Sequence, residues 1–171
     1  YRLASVRVRQ GRLEEAERLL RRALEGRYED ARVHTNLGVV HDLQGRTRDA
    51  IRCFRRAIQL APRDAVAHLN LGALYGELGR YEDAVRVLQR CLEISPTFDA
   101  HFNLALVRYR QGELGEAERL LQAALRRDRG HALAHYYLGQ CRFKRGLTAD
   151  AVEAFQTALS CEPELVRARF Y

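Results

Sequence analysis

Methionine and tryptophan are absent from the 171 residues, and proline occurs only three times. So little proline beside abundant alanine and leucine leaves little room for an all-β chain. No apolar run approaches the roughly 20 residues that span a bilayer, which excludes membrane insertion through a helix. No basic-then-apolar leader stands at the start, and the first residue, Tyr1, is not Met. The chain is therefore expected to be a piece of a longer protein. Lysine is almost missing: Lys144 is the one lysine among 29 basic residues. Cys53, Cys91, Cys141 and Cys161 form no C-x-x-C pair, which argues against a zinc knuckle or a redox couple. Each lies in an apolar helical pattern, where a thiol packs as a small hydrophobe. Reduced thiols of this kind point to a reducing compartment, so the cytoplasm is the expected location.

The groups that carry catalysis are missing too. Serine occurs only at Ser5, Ser95 and Ser160, and no nucleophile–base pair, phosphate loop or dinucleotide fingerprint is present. No catalytic residue and no cofactor are expected. His131 and His135 lie four apart and share a helical face. The zincin glutamate is not between them and no third ligand is evident, so no metal is expected either. The net charge of +7 comes from interspersed signs. Its one concentration is Arg46, Arg48, Arg52, Arg55 and Arg56, and no aromatic stripe accompanies it, which argues against nucleic acid as partner.

What is present is a repeat. Gly11, Gly45, Gly79, Gly112 and Gly146 are spaced 34, 34, 33 and 34 apart. Five residues after each stands Ala16, Ala50, Ala84, Ala117 or Ala151; nine after, Leu20, Phe54, Leu88, Leu121 or Phe155. Twelve after stands Ala23, Ala57, Cys91, Ala124 or Ala158. Eight before comes Leu3, Leu37, Leu71, Leu104 or Leu138, followed by the small residues Ala4, Gly38, Gly72, Ala105 and Gly139. Apolar residues recur three and four apart on both sides of each glycine, so each unit reads as two helices. The glycine takes the left-handed turn that ends the first helix. The small residues let the paired helices approach closely. An acid four places after the glycine (Glu15, Asp49, Asp83, Glu116, Asp150) sits in the first turn of the second helix, where the dipole favours it.

These residues resemble the tetratricopeptide repeat over nearly the whole chain. The fragment His68-Leu-Asn-Leu-Gly72, with Tyr75, Gly79, Tyr81, Ala84, Leu88 and Pro96, fits the family pattern best. Departures are the histidines His34, His68, His101 and His135 at the family's aromatic fourth place. The aromatic expected four before the glycine is Tyr75 once, but Arg7, His41, Arg108 and Arg142 elsewhere. The resemblance implies an all-α, right-handed superhelical solenoid of antiparallel helix pairs, a single array over 1–171. Its units are approximately 1–29, 30–64, 65–97, 98–130 and 131–164, with 165–171 starting a further helix. Both ends fall inside a first helix without a polar cap, so the array is expected to continue or to self-associate through those ends.

The resemblance also implies that the first helices line a concave groove. The sixth place faces it and holds Asn36, Asn70 and Asn103, then Tyr137 and Tyr171. An asparagine ladder of this kind suits extended peptide, because an amide offers both a donor and an acceptor. Units advance by ~10 Å and an extended chain by ~3.3 Å per residue, so one Asn meets every third residue. The fifth and ninth places are Thr35 and Val39, Leu69 and Ala73, Phe102 and Leu106, Tyr136 and Gln140. The groove is therefore expected to run from polar and aliphatic to aromatic. Tyr109 and Phe143 belong either to this groove or to the core. The carboxylate-clamp version of the family needs cations at places that here hold Thr35, Val39, Asn70, Asp99 and Asn103, which argues against a chaperone-tail adaptor. The expected function is a protein-interaction scaffold for an extended or helical segment. The alternatives are a substrate-presenting arm of a larger enzyme such as a glycosyltransferase, or an assembly factor of a bacterial envelope or polar complex.

Overall fold

Two kinds of helix start alternate along the chain. In the computed structural model, which describes residues 2–25 and 29–162, the helices are α1 (Arg2–Arg9), α2 (Leu13–Leu24), α3 (Ala31–Leu43), α4 (Thr47–Leu60) and α5 (Ala65–Glu77). They continue as α6 (Tyr81–Ile94), α7 (Phe98–Gln111), α8 (Leu114–Leu125), α9 (Ala132–Lys144) and α10 (Thr148–Cys161). The described residues contain no strand. Helices α3, α5, α7 and α9 begin at a capping side chain: Asp30, Asp64, Thr97 and His131 accept backbone N–H bonds from the first turn. The second helices have no side-chain cap and carry acid in the first turn instead.

Each first helix stops at its glycine. Gly11, Gly45, Gly79, Gly112 and Gly146 have φ between +71° and +84°. The next residue reaches back to the carbonyl five before it, as in Arg46 N to His41 O at 2.8 Å and Arg80 N to Tyr75 O at 2.9 Å. That bond satisfies an otherwise open helix-end carbonyl and folds the chain back on itself.

The helices form an all-α solenoid of antiparallel pairs. Each first helix packs on its own second helix, and each second helix packs on the next first helix. The first helices α3, α5, α7 and α9 also pack against one another in series, and the second helices have no comparable mutual packing. The first helices therefore line the inner side of the curve. Ala16, Ala50, Ala84, Ala117 and Ala151 are all buried.

The first unit departs from the repeat. Leu3 is 55% exposed and Ala23 is exposed, whereas Leu37, Leu71, Leu104 and Leu138 are buried, as are Ala57, Cys91, Ala124 and Ala158. The third unit shows the usual setting of this place. Cys91 Sγ lies 3.3 Å from the carbonyl of Ala65, in the first turn of α5. Tyr171, Pro163 and the helix expected over 165–171 lie outside the described residues.

Candidate functional site

Asn36, Asn70 and Asn103 occupy equivalent places on α3, α5 and α7, and all three are half-buried. Among the described residues, the side-chain amides of Asn36 and Asn70 have no hydrogen-bond partner. Asn103 Nδ2 donates to the carbonyl of Asp99 at 2.9 Å. Two rungs thus offer a whole amide and the third offers chiefly its oxygen.

The flanking positions separate into two groups. Ala73, Asn103 and Leu106 meet in a narrow crevice between α5 and α7, closed by Gly76, Val107, Glu77 and Arg110. The two helices touch there: a Cβ on Gly76 would lie 2.9 Å from Val107 Cγ2, and Arg110 Nη1 donates to the Gly76 carbonyl at 2.8 Å. Val39 and Leu69 are half-buried and pack on the central core. Thr35 is buried. Its hydroxyl lies 3.1 Å from the Ala31 carbonyl and 3.2 Å from Asp64 Oδ2, so it ties α3 to the start of α5. Sequence reasoning overlooked Glu77 and Arg110. The signal was charge two residues before the glycine.

The late groove is a connected set of rings. Phe102 stacks on Phe98 with centroids 5.5 Å apart, and both lie against His131, at 5.2 and 4.3 Å. Tyr137 meets Phe102 at 6.2 Å, Tyr109 at 5.5 Å and Tyr136 at 5.4 Å, each edge-on. Tyr136 continues to Phe155 at 5.9 Å, and its hydroxyl accepts from Gln140 Nε2 at 3.2 Å. Lys144 Nζ stands 4.3 Å over the Tyr109 ring, a cation on a negative π-face. Tyr109 therefore belongs to this cluster, and Phe143 is 60% exposed. Phe98 and His131 join it unforeseen, because one opens α7 and the other caps α9.

Four of the histidines are committed to structure. His131 Nδ1 accepts from Ala134 N at 3.3 Å, and His135 Nε2 bonds the Arg129 carbonyl at 2.9 Å. His68 and His101 donate from Nδ1 to the carbonyls of Asp64 and Thr97, each at 2.8 Å. Among the described residues no three His, Cys, Asp or Glu side chains gather as metal ligands would. Burial pushes the thiols of Cys53 and Cys91 up, and that of Cys141 up to about 11, which makes them poor nucleophiles. Within the Arg46–Arg56 segment, Arg46 pairs with Glu17, Arg52 with Asp49 and Arg56 with Glu29, while Arg55 donates to the Tyr75 hydroxyl. Among the described residues no helix is long and apolar enough to cross a membrane.

Comparisons with known proteins agree with this architecture. Family models described as tetratricopeptide repeat match residues 1–63, 43–107 and 102–165. Among solved structures, a crystal structure of MamA superposes with a TM-score of 0.84 at 23% identity, covering 96% of each chain. MamA from Desulfovibrio magneticus RS-1 gives 0.85 at 22% identity, over 95% of this chain and 93% of that one. PilF of Pseudomonas aeruginosa gives 0.88 at 23% identity, over 94% of this chain and 73% of that one. At these identities the likeness concerns the fold. No curated protein matches the sequence.

Proposed function

The chain belongs to the tetratricopeptide-repeat family, and we propose that it is a protein-interaction scaffold holding an extended or helical segment of a partner in the concave groove of its first helices. The observation that carries this reading is the pair of half-buried, unpartnered amides at equivalent places on successive helices, Asn36 on α3 and Asn70 on α5. Each presents a donor and an acceptor at the repeat spacing, which matches peptide groups of an extended chain. The crevice at Ala73 and Leu106 and the rings of Phe102, Tyr136 and Tyr137 supply apolar surface beyond them, where side chains of the partner are selected. Thr35 serves this groove indirectly, by fixing α3 against α5.

The test starts with a pull-down by the intact chain, with bound proteins identified by mass spectrometry and the bound segment mapped with synthetic peptides. Asn36→Ala and Asn70→Ala should each weaken that peptide by about 1–2 kcal/mol. Asn103→Ala should cost less, because its Nδ2 is already donated to Asp99. Tyr136→Ala should cost about 2 kcal/mol if its ring is an anchor. A folded triple Asn variant that binds the peptide as tightly as the parent chain refutes the ladder.

A further inference from the structure

On the outer side of the curve, α4 and α6 flank a groove whose floor is α5. The floor is largely apolar: Leu71 and Tyr75 are buried with His68 beside them, Ile58 and Val87 are half-buried along its walls, and Gln59 stands at the edge. The rim holds three guanidinium groups, Arg55 from α4 and Arg86 and Arg90 from α6, and no carboxylate lines the groove. Three arginines thus stand over an apolar floor, and the carboxylates that pair with two of them, Asp83 and Glu93, lie outside the groove.

The repeat register shows that this groove differs from its neighbours. The groove one unit earlier carries Arg21, Arg52 and Arg56 at the same three rim places. There, Glu25 replaces Gln59, and Arg21, Arg52 and Arg56 pair with Glu17, Asp49 and Glu29. The next groove along keeps only Arg119, with Gln89 and Ala123, and the last has Gln122, Glu153 and Thr157. Around the α4–α6 groove, Asp83 pairs with Arg80 and Arg86, and Glu93 pairs with Arg90. Asp83 serves several cations at once: the hydrogen bond from Arg80, with Arg86 and Arg55 beside it, holds its carboxyl below the usual range. Arg55 makes its bond to the Tyr75 hydroxyl, at 3.0 Å. Exposed arginine–carboxylate pairs of this kind are weak and exchange readily.

We propose that this convex groove is a second docking site, for an acidic peptide segment of a partner protein. One apolar or aromatic side chain of that segment lies on the Leu71–Val87 floor, and carboxylates on either side of it take the guanidinium groups of Arg55, Arg86 and Arg90. Arginine suits this task because its planar fork bonds a carboxylate through two parallel N–H groups. The site lies on the opposite face from the Asn row, so a partner in one groove leaves the other open.

The probe is a short fluorescein-labelled synthetic peptide of aspartate and glutamate with one central phenylalanine, titrated against the full chain by anisotropy. The expected result is saturable binding that weakens by roughly tenfold in an Arg55→Gln/Arg90→Gln variant. Replacing the phenylalanine by glycine should weaken it by a similar factor, and the Asn36→Ala/Asn70→Ala variant should bind as the parent does. Arg55 and Arg90 are exposed, so the variant keeps its fold, which circular dichroism verifies. Amide shifts on peptide addition should cluster on α4, α5 and α6. The proposal is overturned if the arginine variant binds equally well, or if the glycine peptide binds as tightly as the phenylalanine one. It is also overturned if the Asn variant loses the peptide, or if an unlabelled oligothymidylate binds more tightly and needs the same arginines.

Discussion

Gly38 faces Phe54 so closely that a Cβ on the glycine would lie 2.5 Å from Cε1 of the ring. The relationship recurs at Gly72 against Leu88, also 2.5 Å, and at Gly139 against Phe155, 2.6 Å. It sets how near the two helices of a unit can come. Phe54 is 1% exposed, so its ring has nowhere to swing. Gly38→Ala gains up to about 1 kcal/mol of helix propensity, against an overpacking cost of about 1–3 kcal/mol. The expected net effect is a loss of up to about 2 kcal/mol. Both units with phenylalanine at the facing place have glycine here, whereas two of the three with leucine there, at Leu20 and Leu121, have alanine, Ala4 and Ala105. Adding Phe54→Leu should therefore recover part of the loss. Urea denaturation of both single variants and the double variant measures the coupling, and strict additivity would show that the contact does not set the spacing.

Gly79 separates this packing effect from a backbone one. Its φ is +72°, and a Cβ there would meet nothing within 4 Å. Gly79→Ala should lose about 1 kcal/mol through the left-handed conformation alone. No substitution at Leu88 should restore it, and the same denaturation series checks this.

The helix pairs, the five turn glycines and the small residues at the helix crossings were legible because each is a local requirement repeated at a fixed interval. Gly45 needs its φ wherever the chain turns, and Gly38 needs space wherever a ring lies opposite. The histidine and arginine residues at aromatic places were harder to read, because hydrogen bonds and ion pairs stand there in place of the apolar packing that the family pattern implies. Arg108 and Arg7 stand where Tyr75 stands and pair with Glu116 and Glu15 across the turn, at 3.0 and 3.3 Å. The first-helix positions of the groove follow from register, but what each side chain does there depends on the adjoining unit. Thr35 was legible as an inner-face residue. Its commitment to Asp64 was not, since the bond joins two units through a capping side chain. The joining of Phe98, His131 and Tyr137 was equally hidden, because helix-start residues sit outside the groove register.

Glu118 joins the fourth unit to the fifth. It is 9% exposed, and it accepts from Arg142 Nε at 2.9 Å and also pairs with Arg145. Glu17, six residues after its glycine like Glu118, links the first unit to the second through Arg46, the residue after Gly45. Ile51 and Val85 stand at this place in the units between, where the joints are apolar. Glu118→Gln keeps the size but leaves two guanidinium groups facing a neutral amide. A loss of about 1.5–3 kcal/mol is expected, the scale of charged hydrogen bonds. Because α9 and α10 hang on this joint, their amides should lose hydrogen-exchange protection before those of α5 and α6. Uniform loss across all helices would show that the array unfolds as one unit and that Glu118 is not a separable joint.

His41 gives the array a dependence on mild acid. It is 3% exposed on α3 and its Nδ1 has no hydrogen-bond partner. Burial lowers its pKa from the ordinary 6.5, and Arg46 adds to this, while Glu17, the Gln44 side chain and Asp49 act against it. His34 on the same helix is shifted the same way, mainly by burial. With the folded value below the unfolded one, the unfolded chain binds the proton first. Stability is therefore full above about pH 6.5 and falls as pH drops toward the lowered folded values, after which this contribution levels off. Each unit of depression corresponds to about 1.4 kcal/mol once the loss is complete. Carboxylates held low, such as Glu17 and Asp30, lose their contribution only below about pH 4.5, so the two windows separate. His41→Tyr places at this position the residue that Tyr75 supplies in the next unit. It should reduce the fall in melting temperature between about pH 7 and pH 5, and adding His34→Gln should flatten it further. Calorimetry across that range decides the matter: an undiminished slope in the double variant would assign the acid sensitivity to groups other than these two histidines.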